Sequence, residues 1–232
     1  MISESILEKI KQRGYWKVKI RPLEYPKQKI GSLSILKEII KQSQVSYRGW
    51  PFPLVKEIVS GENYIWDGAD WQNHIEYWRL YQSAQYLHYF SMREDWEDLV
   101  EHFFGGKIAN PRKPGSNLEI ISSLYTITEI FEFTSQLIKK APFESGIKIS
   151  IDLVGTNNRM LFFYDIRRSL NGDYICKIPN IIYEKEFSFD DFRINSKKYA
   201  IECCVYIFEK FNWDKIPSDF LVDEQKKFLG KK

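Results

Sequence analysis

Arginines and flat rings are concentrated in one stretch of this chain, Ser43 to Arg93. The segment SQVSYRGWPFP places Arg48 and Trp50 beside two prolines, and EYWRLYQSAQYLHY adds Trp78, Arg79, Tyr81 and Gln85. A guanidinium beside an aromatic face can stack a base or hold a planar ligand. These six residues form the candidate ligand-binding set. The same composition also makes an ordinary core rim, with ring faces buried and polar tips wet. A second set, Lys17, Lys19 and Arg21, alternates with Trp16, Val18 and Ile20. Along a strand, period-two alternation puts the three cations on one face, roughly 6.6–6.8 Å apart. That row could follow a phosphate backbone and is the candidate nucleic-acid contact. It lies within a wider basic segment that includes Lys9, Lys11, Arg13, Lys27 and Lys29.

Other chemical signatures are mostly missing. The sequence has no G-x-x-x-x-G-K-[ST] phosphate loop, no H-E-x-x-H, no C-x-x-C and no G-x-S-x-G elbow. His74, His88 and His102 are each fourteen residues apart, so a zinc site would need the fold to gather them. Asp152 with Glu184 or Glu186 could hold a hard cation at neighbouring strand ends. Alternating charge on an exposed strand face explains these carboxylates better. No metal and no cofactor is expected, and no catalytic residue is assigned.

The elements that would position these residues alternate between helix and strand. Ser3 or Ser5 can cap a first helix carrying Ile6, Leu7 and Ile10, ended by Gly14. A strand runs from Tyr15 to Arg21, a loop over 22–31, and a helix follows Ser32. Strands are predicted at Val45–Trp50 and Asn63–Trp66, with a hairpin of Glu76–Leu80 and Gln85–Phe90 turning near Ser83 and Ala84. Arg93–Phe104 reads as a short helix. Ser116 and Glu119 form a capping box opening a long helix over 117–139. Ile147–Val154 alternates strictly, and Met160–Asp165 is its predicted antiparallel partner. Ile181–Phe187 is another strand. Asn195 or Ser196 caps a helix to about Phe211, and Pro217-Ser218 starts a last one. The expected fold class is α+β, with antiparallel sheet covered by helices on one face. The Gly/Pro-rich residues 105–116 divide an aromatic-rich half, 1–104, from a second half, 117–232, within what could be one continuous domain.

Charge divides the chain further. Residues 1–61 carry +7, residues 62–103 carry −7, and the remainder carries +3. Glu94, Asp95, Glu97 and Asp98 are therefore candidates to neutralise the lysine row internally. A 44% apolar, 28% charged composition argues against disorder. There is no apolar run of membrane-spanning length and no apolar leader core. Three cysteines, two of them adjacent, do not make a disulfide framework. A cytoplasmic location without membrane association is expected.

The fragments SQVSYRGWPFP and YWRLYQSAQYLHY resemble a pattern of bacterial proteins without an assigned activity, over about residues 14–96. The resemblance implies no activity and carries over no catalytic residue. Three functions fit these observations. The first is a binding or interaction protein that acts as a subunit or accessory to a protein partner, without catalysis of its own. The second is a nucleic-acid-binding or nucleic-acid-processing protein. The third is a small-ligand sensor with an aromatic pocket around Trp50, Trp78 and Tyr81.

Overall fold

The computed structural model describes residues 2–24, 30–100 and 111–230. Seven strands form one antiparallel sheet in the spatial order β2 (Val59–Ser60), β3 (Tyr64–Trp71), β4 (His74–Tyr81), β5 (Tyr86–Ser91), β1 (Tyr15–Pro22), β7 (Ile147–Val154) and β9 (Asn180–Phe187). A separate parallel pair joins β6 (Asn117–Glu119) to β8 (Met160–Phe162). The helices are α1 (Ile2–Lys11), α2 (Leu33–Ser43), α3 (Ile120–Lys140), α4 (Phe189–Glu209) and α5 (Ser218–Leu229), with a 3₁₀ segment at Arg93–Leu99. This is an α+β fold. Strand β1 pairs with β5 on one side and with β7 on the other, so both expected halves supply strands to one sheet. Residues 105–110 of the expected boundary lie outside the described residues.

Alternation assigns each side chain to a face. Trp16, Val18 and Ile20 point inward, as do Ile147, Ile149, Ile151 and Leu153, and all are buried. They pack with α2, α3 and α4 in the main core. Helix α3 is buried almost all round, including Leu124, Ile127, Ile130, Phe131, Phe133 and Leu137. Its Thr128 and Thr134 hydroxyls return to the carbonyls of Leu124 and Ile130, so their burial leaves no hydroxyl unbonded. The expectation that helices cover one face needs a correction. The apolar stripe of α1 lies on the opposite face, where Ile10 packs with Ile75, Tyr77 and Trp96.

Several local expectations also change. Val45–Trp50 is not a strand: Val45 makes a single bridge to Phe52, and the residues between them form a turn with Gly49 at φ +86°. Ser116 is not the cap of α3. Residues 117–119 are drawn into β6, and the Glu119 side chain accepts from Ser122 N instead. Met160–Phe162 does not pair with β7, because both edges of β7 are occupied, by β1 and β9. Helix α4 begins before Asn195, with Ser188 accepting from Asp191 N as its cap. The Asn195 amide reaches back to Asp191 within the helix. The 3₁₀ segment ends at Leu99, and Phe104 lies outside the described residues. Among the described residues, no helix is long and apolar enough to cross a membrane.

Candidate functional site

Glu76 and His88 are polar, yet they occupy inward positions on β4 and β5. The register Glu76↔Phe90 and Trp78↔His88 sets them side by side among apolar neighbours. Each is at most 1% exposed. Glu76 accepts from His88 Nε2 at 3.0 Å and from Leu54 N at 2.7 Å, and His74 Nε2 stands 3.6 Å away. Burial would raise the Glu76 carboxyl, but the two imidazoles outweigh it and hold the group at about 2. Arg93 Nη2 lies 2.9 Å from His74 Nδ1. Arginine can only donate, so Nδ1 accepts and the His74 proton sits on Nε2, facing Glu76.

Above this pair, α3 and the 44–53 connection close a crevice. The Val45–Phe52 bridge pins the turn that carries Arg48 and Trp50. Arg48 Nη2 donates to Ser122 O at 3.1 Å and to Thr126 Oγ1 at 2.9 Å. Arg48 Nε lies 3.1 Å from Glu129 Oε2, but its direction does not make a hydrogen bond. Trp50 covers the mouth, with the Arg93 guanidinium 4.9 Å from its ring centre and the His74 ring 6.2 Å away. The crevice encloses about 30 Å³ and is lined by Arg48, Trp50, His74, Glu76, Arg93, Ser123 and Glu129 among others. That is room for about one or two water-sized groups. Four polar atoms there have no hydrogen-bond partner: Arg48 Nε, His74 Nε2, Ser123 Oγ and Glu129 Oε1. Burial lifts the Glu129 carboxyl to about 7, although Arg48 and Arg93 pull it down. Burial and then Arg48 lower Arg93 to about 10, so it remains a cation at neutral pH.

On its other side Arg48 borders an open cleft of about 820 Å³, lined also by Glu119, Ser122, Tyr125, Tyr164, Arg168, Glu224 and Lys227. Tyr125 stacks on Phe228 at 4.0 Å, and Arg48 lies 5.8 Å from both ring centres. Glu224 neutralises Arg168 and Lys227 at 3.1 and 2.8 Å. Burial raises Glu119 to about 7 against the amides of Ser122 and Tyr164. Comparison with family models, with curated proteins and with solved structures gives no match to this chain. The site must therefore be read from its own geometry.

Of the six residues expected to bind a ligand, the fold brings Arg48 and Trp50 to this crevice. Trp78 is wholly buried on the inner face, donating to Leu54 O at 2.8 Å. Arg79 and Tyr81 follow the opposite parity of β4. Arg79 packs on Tyr64 and Tyr77 and donates to the Tyr77 hydroxyl. Gln85 is in the hairpin turn, where its carbonyl accepts from Tyr81 N. A pocket of Trp50, Trp78 and Tyr81 therefore does not form, because Trp78 and Tyr81 face opposite sides of the sheet.

Lys17, Lys19 and Arg21 share the outer face with Arg79 and not with Arg48. Lys17 lies 3.4 Å from Asp152 across the β1–β7 register. The acidic segment does not neutralise this row. Asp95 holds Arg159, Asp98 holds Arg13, Glu97 faces Arg112, and Glu94 accepts from Glu119 N. Glu184 and Glu186 flank Lys148 at 2.5 and 3.4 Å, which accounts for the alternating charge. Among the described residues, no group of three His, Cys, Asp or Glu side chains is arranged to hold a metal ion, and His102 lies outside them.

Proposed function

We propose that this chain is a binding protein for a small polar molecule, with Arg48 as the anchor between the buried crevice and the open cleft. The observation that carries this reading is the position of Arg48. One side of its guanidinium faces unpartnered polar atoms in a narrow crevice. The other faces a ringed cleft within the size range of small-molecule sites. Perturbed carboxyls at both ends, Glu129 and Glu119, add support, since such groups gather at functional sites. The proposal takes up the third function expected from the sequence, a small-ligand sensor, and moves its site away from Trp78 and Tyr81.

A thermal-shift panel of small polar metabolites tests it, run on wild type, on Arg48→Met and on Lys17→Ala as a control on the outer face. Compounds should raise the melting temperature of wild type and of Lys17→Ala but not of Arg48→Met. Circular dichroism should show that the variant remains folded. Compounds that stabilise Arg48→Met as much as wild type would place binding elsewhere.

A further inference from the structure

Building on the binding reading above, we propose that the ligand carries a carboxylate that docks on Arg48 in place of Glu129, and that Glu129 takes up a proton from solvent as the ligand binds. No covalent bond changes: one solvent proton moves onto the Glu129 carboxyl, and the ligand carboxylate becomes the counter-ion of Arg48.

The crevice is built for this exchange. Two of its unpartnered atoms are donors whatever the pH, Arg48 Nε–H and the Ser123 hydroxyl. Both are donors of the kind a carboxylate accepts from. Glu129 Oε1 is also unpartnered and Glu129 is 3% exposed. Ionised, that oxygen can only accept, so it would repel an arriving carboxylate. Protonated, it becomes a donor to it. The groups packed around Glu129 make the trade one-for-one. From the 44–53 connection comes Arg48, from the 3₁₀ segment Arg93 and Glu94, from β4 His74 and Glu76, and from β5 His88. Glu76 already receives His88 and Leu54 N, and Glu94 receives Glu119 N. Glu129 is thus the carboxylate that can give up its place beside Arg48. The starting position of its carboxyl, lifted to about 7 by burial, lets that proton arrive near neutral pH.

Charge selects the anion class: Glu76 and Glu94 nearby disfavour a dianion such as phosphate more than a monoanionic carboxylate.

The test uses acetate as the probe, with acetamide as its neutral isostere and inorganic phosphate as the competing anion. Binding is followed by tryptophan fluorescence from about pH 6 to about pH 9, a range in which acetate stays ionised. Acetate affinity should be level at the acid end and fall about tenfold per pH unit above about pH 7. Glu129→Gln should still bind acetate, with that pH dependence flattened. Acetate affinity independent of pH in wild type would overturn the proton uptake. Acetamide or phosphate binding at least as tightly as acetate would overturn the carboxylate assignment, as would no acetate binding at pH 6. Each of these failures leaves the broader binding reading standing if panel compounds still depend on Arg48. If no compound depends on Arg48, the broader reading fails as well.

Discussion

Glu129 is a buried carboxylate, only 3% exposed. Its ordinary value of 4.5 is lifted to about 7 by burial. Between those two values the folded chain holds the proton and the unfolded chain has lost it. Fewer protons bound on unfolding means that stability declines as pH rises through that window. Glu119 titrates over the same window with the same sign. Glu129→Gln should therefore flatten, without abolishing, the decline in urea midpoint between about pH 4.5 and about pH 7. An unchanged slope would show that Glu129 is not the buried acid described here. Arg48 and Trp50 were legible in the sequence because an arginine and a ring lay beside prolines. Glu129 was not, since nothing in α3 marks which of its carboxylates will meet Arg48. Glu76 and His88 did leave a signal. Both fall on the inward parity of strands whose neighbours at that parity are Trp78, Leu80 and Tyr86.

Among the elements, α3 contributes most to the core. Leu124 is wholly buried, and Leu124→Ala should cost about 2–5 kcal/mol in urea unfolding. A loss well under about 1 kcal/mol would mean that the site collapses or lies on the surface. The burial of this helix on several sides was readable from its apolar residues, which span more than one face. Its start was misread because Ser116 and Glu119 have capping-box spacing, whereas residues 117–119 pair with β8. Pairing partners are likewise invisible to local alternation. Met160–Phe162 looks like a neighbour of β7, but β7 has no free edge. The start of α4 does carry a signal at Ser188, with Asp190 and Asp191 in the first turn.

Across the whole molecule, the sheet separates two chemistries. The inner face, under α3, holds Arg48 and the crevice. The outer face carries Lys17, Lys19, Arg21 and Lys148 interleaved with Asp152, Glu184 and Glu186. Mixed signs at this spacing leave little net field to attract phosphates. Fluorescence titration with single- and double-stranded oligonucleotides should show no saturable binding at low salt. Binding with a log–log salt slope of roughly −2 to −3 that Lys17→Glu, Lys19→Glu abolishes would restore the nucleic-acid reading. The central claim, that Arg48 anchors a small molecule, is tested most directly by the ¹H–¹⁵N spectrum of the arginine side-chain Nε–H groups. The Arg48 signal is assigned by its loss in Arg48→Met. On saturation with a compound that stabilises the protein, it should shift, because its Nε–H gains a partner, while the Arg159 signal, already bonded to Gly155 O, stays in place. A saturating compound that leaves the Arg48 signal unmoved would contradict the account.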